Sequence, residues 1–507
     1  MDENQLGVAP LDDHNRALLE AVHPIGWSNP APSGRYNLIV VGAGTAGLVA
    51  AVGAAGLGAK VAIIERGLMG GDCLNFGCVP SKALIASARA AAAVSGAGEF
   101  GIDVPAGVRA DFGAAAARMR AIRAAIARND SAVRLRDLGV DVFLGAARFT
   151  APDALEVAGQ RLAFSRAAIA SGARAATAPI AGLAETGYLT NETVFSMTAL
   201  PARIAVIGGG PIGCELAQML RRLGAEVTLL EALPHVLMRE DRDAAAAVEH
   251  ALRRDGIAIA DNCSILRAER RGADKVLRIE CDGVQSEISA DEFILAAGRA
   301  PAVEDLGLEA AGVEYDRQTG VHVDDYLRTS NPRIYAAGDC ASALKFTHLS
   351  DAHARILLRN ALFRGRQRVS ALTIPWCTYT DPEIAHVGLS EEQARRRAVA
   401  ITTFTQPMAE VDRAILDGQT AGFVKIHVRA GTDQIAGATI VAAHAGEMIS
   451  ELTLAMTAGV GLGKLGEVIH PYPTQAEAIR KIANQYARTR LTPLAARLFK
   501  RWFAWTR

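Results

Sequence analysis

Two cysteines stand close enough in the chain to act as one chemical unit. Gly70-Gly-Asp-Cys73-Leu-Asn-Phe-Gly-Cys78-Val-Pro-Ser-Lys82 spaces them as CxxxxC. That is not the CxxC half-site of structural zinc, and no second half-site lies nearby. Pro80-Ser-Lys82-Ala-Leu reads as the start of a helix immediately after the pair. A helix N-terminus and a neighbouring lysine both favour thiolate over thiol, so Cys73 and Cys78 are read as a reactive dithiol. The other five cysteines (Cys214, Cys263, Cys281, Cys340 and Cys377) are thinly spread and odd in number. They form no disulfide framework by this pattern and are expected to be small buried hydrophobes.

The elements that must position this pair are written before and after it. Asn37-Leu-Ile-Val-Val41 reads as a buried parallel strand running into Gly42-Ala-Gly44-Thr-Ala-Gly47, an alanine-rich helix, the strand Val61-Ala-Ile-Ile64 and the acid Glu65. Arg203-Ile-Ala-Val-Ile207, Gly208-Gly-Gly210-Pro-Ile-Gly213, a helix, Glu226-Val-Thr-Leu-Leu230 and Glu231 repeat the same grammar. In each copy the acid follows the first glycine by 23 positions. Such glycines allow a tight turn, close approach of backbone to a pyrophosphate and close helix–strand packing, while the acid reaches ribose hydroxyls. One GxGxxG is weak; two in matched strand–helix–acid settings predict two dinucleotide sites. Glu231 would repel a 2′-phosphate, and Ala232 and Leu233 follow it, with His235 and Arg239 further on. NADH is therefore favoured over NADPH at the second site.

The rest of the composition limits the alternatives. With 507 residues, 50% hydrophobic, the chain must fold as several domains. Fifty-four basic against 54 acidic residues give no global attraction for nucleic acid, and 5% aromatics offer no base-stacking platform. Tyr36–Ala59 is uncharged and apolar, but its six glycines mark a buried βα unit rather than a membrane span. The N-terminus lacks the basic and apolar regions of a secretory leader, so a cytoplasmic body is expected.

These motifs in this order resemble one family. CLNFGCVPSK, with GAGTAG before it and GGGPIGCE, AAGRAP and IYAAGDCA after it, is similar to the class I pyridine nucleotide-disulfide oxidoreductases, the FAD flavoprotein disulfide reductases. The likeness runs from about Arg35 to Arg488. It implies an α/β fold with two Rossmann-like domains, for FAD and NAD, and an α+β C-terminal dimerisation domain, hence a homodimer. The implied segments are an N-terminal extension (1–34), FAD-binding parts (35–183 and 299–373), an NAD(P)-binding domain (184–298), a dimerisation domain (374–487) and a tail (488–507).

The resemblance also implies roles. Gly42, Gly44, Gly47 and Glu65 would hold FAD, and Gly208, Gly210, Gly213 and Glu231 would hold NADH. Gly298 would lie at the return to the FAD domain, and Asp339 would hold the ribityl chain. Cys73 would be the interchange thiol facing substrate and Cys78 the charge-transfer thiol against the flavin, with Lys82 paired to Glu215 beside it.

The pattern departs from the disulfide-reducing members near its end. Ile469-His-Pro-Tyr472-Pro-Thr-Gln-Ala-Glu477 places Tyr472, not histidine, five positions before Glu477, with His470 two positions upstream of the tyrosine. A phenol of pKa ~10 is a poor base near neutral pH. Tyrosine here is similar to mercuric reductase, where it helps bind the metal, and thiolates with a phenolate suit a thiophilic ion. The C-terminal cysteine pair of that enzyme has no counterpart after Cys377, and 1–34 contains no cysteine. Tyr188 is expected to pack rather than line the site, and Pro211 stands where many relatives have a gating tyrosine. No resident metal site is assigned.

The expected activity is thus NADH-dependent electron transfer through FAD and Cys73–Cys78 to a metal ion or small oxidant. The alternatives are dihydrolipoyl dehydrogenase, another disulfide reductase, or an electron-transfer subunit for a membrane partner. The last is prompted by the tail, RTRLTPLAARLFKRWFAWTR, with six basic residues, no acid and two of the four tryptophans. Leu494, Leu498, Trp502 and Trp505 recur at helical spacing from Pro493, which fits peripheral contact with an anionic membrane or a membrane protein, the plainer reading being a helix packed on the dimer.

Overall fold

The computed structural model describes residues 6–507 and divides them into two units. One comprises the chain up to Leu233 with Gly256–Ala371; the other is Pro234–Asp255 with Leu372–Arg507. The first five residues of the expected N-terminal extension lie outside the described residues.

The first unit is built on two sheets, one mixed with a parallel centre and one wholly parallel. Strand Arg35–Val41 pairs in parallel with Val61–Glu65 on one side and Gln160–Ile169 on the other, and Ile334–Ala336 also joins Gln160–Ile169. Leu38, Ile39 and Val40 are fully buried, as an apolar run covered on both faces requires. Helix Thr45–Gly56 follows the first strand directly. The second sheet repeats the plan: Arg203–Ile207 lies between Glu226–Leu230 and Glu292–Leu295, all parallel, with helix Pro211–Arg222 after the first strand. Tyr188 packs against the apolar cluster on this sheet, around Phe293 and Leu295.

A three-stranded antiparallel meander, Cys263–Arg271, Asp274–Cys281 and Val284–Ala290, accompanies the second sheet. Its register sets Cys263 opposite Cys281, and the two are joined in a disulfide. This corrects the sequence expectation for that pair, which treated both as unlinked hydrophobes. Strand register, invisible in linear spacing, brings them together. Cys214 and Cys340 are buried thiols, whereas Cys377 is only half-buried.

The N-terminal segment is not a loose appendage. Asp12 caps helix Asp13–Val22 by accepting from the Asn15 amide, and Leu18, Leu19 and Val22 are buried. Asn15 Oδ1 accepts from Arg123 Nη2 at 2.7 Å, and Arg123 Nη1 donates to the Asn75 carbonyl at 2.8 Å. Asn75 lies between the two cysteines of the pair, so this helix braces their loop.

The second unit is a five-stranded antiparallel sheet in the order Pro375–Thr378, Glu383–Gly388, Ile435–Ala442, Phe423–Arg429, Ile401–Pro407. Its core draws on helices Ala445–Ala458 and Glu477–Thr489 through Ile449, Leu452, Ile479 and Ile482. Pro234–Asp255 belongs to this unit although its sequence lies inside the expected NAD-binding segment. The buried Lys425 ammonium explains why: it reaches both Asp243 oxygens at 2.8 Å and lies 3.2 Å from Asp241 and from Glu391. Candidate ligand atoms of Asp241, Glu391 and His427 also converge there, but the cation among the acids is the lysine itself.

Candidate active site

Cys73 lies in the short helix Gly71–Asn75, and Cys78 is the first residue of the 18-residue helix Cys78–Ser95. The chain turns between them at Phe76 and Gly77. A Cβ on Gly77 would lie 2.9 Å from the Asp72 carbonyl, so a side chain there would push the two helices apart. The two thiols hydrogen-bond to each other, and that contact divides their acidity. It holds Cys78 down at about 6, against the burial that raises it, with the Lys82 charge and the Thr347 hydroxyl assisting. The same contact, together with burial, pushes Cys73 up. The two shifts run in opposite directions and favour the thiolate at Cys78 over Cys73. Thr347 Oγ1 stands 3.5 Å from Cys78 Sγ, at the first turn of helix Thr347–Phe363.

Lys82 sits one turn into the Cys78 helix, and its ammonium donates to Glu215 Oε2 at 2.6 Å. Glu215 is on helix Pro211–Arg222, with its side chain 8% exposed. Pro211 opens that helix at its first position, where the missing N–H costs nothing.

The two glycine turns share one geometry. Gly42 has φ +102° and Gly208 φ +111°, and a Cβ on either would strike a facing carbonyl, Ala170 O at 2.3 Å or Ala296 O at 2.6 Å. A Cβ on Gly47 or Gly213 would lie 1.8 Å from the carbonyl of the first glycine of its own turn. Gly44 and Gly210 precede their helices without a side-chain cap, which leaves helix N–H groups available to phosphate oxygens. A Cβ on Gly44 would meet only Gly71 Cα, at 3.7 Å, and one on Gly210 nothing within 4 Å, so space remains above both turns. These residues fit the pyrophosphates of two dinucleotides.

The acids are held alike. Ala43 N–H donates to Glu65 Oε2 and Gly67 N–H to Oε1, both at 2.7 Å. Gly209 N–H donates to Glu231 Oε2 at 2.7 Å and Leu233 N–H to Oε1 at 2.9 Å. Each carboxylate is thus fixed at its strand end by the turn it serves. Burial pushes the Glu65 carboxyl up, opposed by these amide bonds.

Gly298 has φ +116° and leads into Arg299, whose side chain is 10% exposed. Arg299 Nη1 lies 3.1 Å from Asp72 Oδ2, and Asn191 Nδ2 donates to Asp72 Oδ1 at 3.0 Å. Asp339 Oδ2 lies 4.0 Å from Arg299 Nε, and burial raises the Asp339 carboxyl. A Cβ on Gly338 would come within 3.3 Å of Ala46, so Asp339 sits beside the first nucleotide turn. The buried His353 accepts from Gly338 N–H, and burial holds it at about 4, leaving it neutral. Asp72, Asn191, Arg299 and Thr347 escaped sequence reasoning as site residues. The position of Asp72 next to Cys73 and that of Arg299 in the AAGRAP motif gave the available signal.

In the C-terminal unit, Tyr472 Oη donates to Asp412 Oδ2 at 3.0 Å, and that carboxylate raises the phenol further. Tyr472 and Glu477 are not hydrogen-bonded to each other. Glu477 opens its helix; Oε1 accepts from Arg480, while Oε2 is buried with no hydrogen-bond partner among the described residues. His470 is occupied elsewhere, with Nε2 3.0 Å from Glu451 Oε1.

Comparison with known proteins places this geometry. The pyridine nucleotide-disulphide oxidoreductase family matches residues 36–355, and its dimerisation domain matches residues 374–483, which supports a homodimer. A mercuric reductase of Bacillus cereus is 35% identical over 446 residues, covering 88% of this chain and 70% of that protein. A dihydrolipoyl dehydrogenase of Thermus scotoductus is 34% identical over 456 residues, covering 89% of this chain and 97% of that protein. The Cu(II) complex of the HOCl-induced flavoprotein disulfide reductase RclA from Escherichia coli superposes with a TM-score of 0.79 at 29% identity, covering 89% of this chain and 100% of that one. LpdA from Mycobacterium tuberculosis gives a TM-score of 0.81 at 27% identity, covering 89% and 99%. The chain belongs to the class I pyridine nucleotide-disulphide oxidoreductases, flavoenzymes that use FAD and a pyridine nucleotide.

Proposed function

We propose that this enzyme passes electrons from NADH, by way of FAD and the Cys73–Cys78 pair, to a thiophilic metal ion or a small oxidant rather than to an ordinary disulfide. FAD, when bound, would supply two-electron redox chemistry between the nicotinamide and the Cys73–Cys78 pair. The turn at Gly42, Gly44 and Gly47, with Glu65 and Asp339, would hold the flavin nucleotide; the turn at Gly208, Gly210 and Gly213, with Glu231, would hold NADH. Lys82, fixed by Glu215, supplies positive charge near Cys78 and assists the Cys73 contact that lowers that thiol.

The observation that carries the choice of acceptor is the Tyr472–Asp412 contact. Disulfide exchange requires a base to take the proton from Cys73, whose thiol is pushed up. A phenol already donating to a carboxylate, and raised by it, does not serve. A soft cation needs no such base, because binding to sulfur itself displaces the thiol proton. The relatives named as mercuric reductases and the Cu(II) complex of RclA support the same reading.

The test is anaerobic NADH oxidation by the FAD-loaded enzyme against Hg(II), Cu(II), quinones, lipoamide and low-molecular-weight disulfides. Turnover with metal ions or quinones well above that with lipoamide and disulfides is expected. Preferential turnover of lipoamide would instead favour the dihydrolipoyl dehydrogenase reading.

A further inference from the structure

The tail forms a single helix, Pro493–Trp505, with its own start signals: Thr492 Oγ1 accepts from the Ala495 amide, and proline takes the first position. None of its residues is buried. At 100° per residue its side chains separate into two arcs. Leu494, Leu498, Phe499, Trp502, Phe503 and Trp505 share one side, each more than half exposed, with Trp505 at 78%. Arg497, Lys500 and Arg501 share the other, and Arg488, Arg490 and Arg507 flank the helix. No acidic residue occurs in 488–507.

We propose that this helix docks the enzyme on an anionic lipid bilayer, lying flat at the headgroup level with its tryptophan face toward the acyl chains. Thirteen residues extend about 20 Å, short of the ~30 Å hydrocarbon core, so the helix cannot span. An apolar arc with tryptophans, bordered by arginine and lysine, matches the interface between acyl chains and negative headgroups. A second copy of the chain is a poorer occupant. The helix begins beyond residues 374–483 matched by the dimerisation domain, and two such tails meeting would set six positive side chains against six. Such docking would set where the enzyme works, whatever its acceptor.

The experiment is co-sedimentation of the full-length, FAD-loaded protein with phosphatidylcholine vesicles and with vesicles containing about one-third phosphatidylglycerol. Tryptophan emission and the mass of the dimer are followed in parallel. The proposal expects at least tenfold stronger binding to the anionic vesicles, a blue-shifted emission on binding, and weakening as salt rises. The triple charge reversal R497E/K500E/R501E changes only exposed side chains; it is expected to lower binding at least tenfold with the dimer mass unchanged. The pair W502A/W505A is expected to abolish the blue shift. The proposal is overturned by equal binding to both vesicles, by no binding to either, or by binding that survives charge reversal or removal of 490–507. Loss of the dimer on that removal would also overturn it, since the face would then be covered by a second copy.

Discussion

Lys82 on the helix that begins at Cys78 meets Glu215 on the helix of the second nucleotide turn, Nζ to Oε2, at 2.6 Å. The contact ties the neighbourhood of Cys78 to the second glycine turn, the turn proposed to hold NADH. With its partner largely buried, the ammonium cannot swing freely into solvent.

Acidity at Cys78 rests chiefly on the contact with Cys73, and the Lys82 charge held by Glu215 adds to it. The thiol is held at about 6, below the ordinary thiol value, so its thiolate fraction is lost as pH falls through that value and is nearly complete at neutrality. Alkylation of the prereduced protein, measured by mass spectrometry at each pH, is expected to show Cys78 reacting with a midpoint near 6 and Cys73 only at alkaline pH. Lys82→Met is expected to move the Cys78 midpoint upward by about one unit, the scale of a nearby charge. An unchanged midpoint would place the source of the low value elsewhere.

Glu231 should govern nucleotide choice. Its two oxygens accept from Gly209 and Leu233 N–H, so the carboxylate is fixed at its strand end, and on the proposed assignment it would repel a 2′-phosphate there. Steady-state kcat/KM is expected to favour NADH over NADPH by tenfold or more, and Glu231→Gln to narrow that ratio while keeping the turn's shape. Glu231→Ala should in addition lower stability by about 1–3 kcal/mol, since a turn amide loses its partner. NADPH preference in the wild-type enzyme would contradict this account of the second site.

Tyr472 offers a gain-of-function test. Glu477 Oε2 is buried with no hydrogen-bond partner among the described residues, an open acceptor for an imidazole five positions upstream. Tyr472→His is expected to raise turnover with lipoamide or a small disulfide at least tenfold, with a new pH dependence in the histidine range. Tyr472→Phe should leave disulfide turnover low. If the histidine variant gains nothing, absence of a base is not what limits disulfide exchange.

Lys425 tests the C-terminal unit. Burial pushes its ammonium down, but hydrogen bonds to Asp243 and the charges of Asp241 and Glu391 outweigh this, and the net shift is upward. A raised lysine contributes stability that is fully present below its unfolded pKa and lost only as pH rises through the higher folded value. Denaturant midpoints between pH 6 and 9 should therefore be insensitive to this group. Lys425→Met is expected to cost about 3 kcal/mol, the lower end for breaking a buried charge cluster because Asp243 and Glu391 remain partly exposed.

How much of this was legible depended on whether a feature is local. The glycine turns, their strands and their acids announce themselves because steric need is written residue by residue: no other side chain fits at Gly47 or Gly213. The tail helix was legible for the same reason, through the helical spacing of its apolar residues from Pro493. The pairing of Lys82 with Glu215 came from resemblance and could not have come from spacing, since 133 positions separate them. Contacts set by register or by loops crossing the fold left no sequence signal. Cys263 meets Cys281 only because two strands align at those positions. Asn15 reaches the cysteine loop through Arg123, 108 positions away, and Tyr472 turns to Asp412 across 60. Such partners are chosen by packing, and polar side chains of ordinary type can fill either end.

On the proposed route, electrons from NADH reach Cys73–Cys78 and leave Cys78 as the thiolate beside the flavin. Anaerobic titration of the FAD-loaded enzyme with NADH, followed by visible absorbance, tests it most directly. A long-wavelength thiolate–flavin charge-transfer band is predicted in the wild-type enzyme, retained in Cys73→Ser and absent from Cys78→Ser; a band that persists in Cys78→Ser would contradict the assignment.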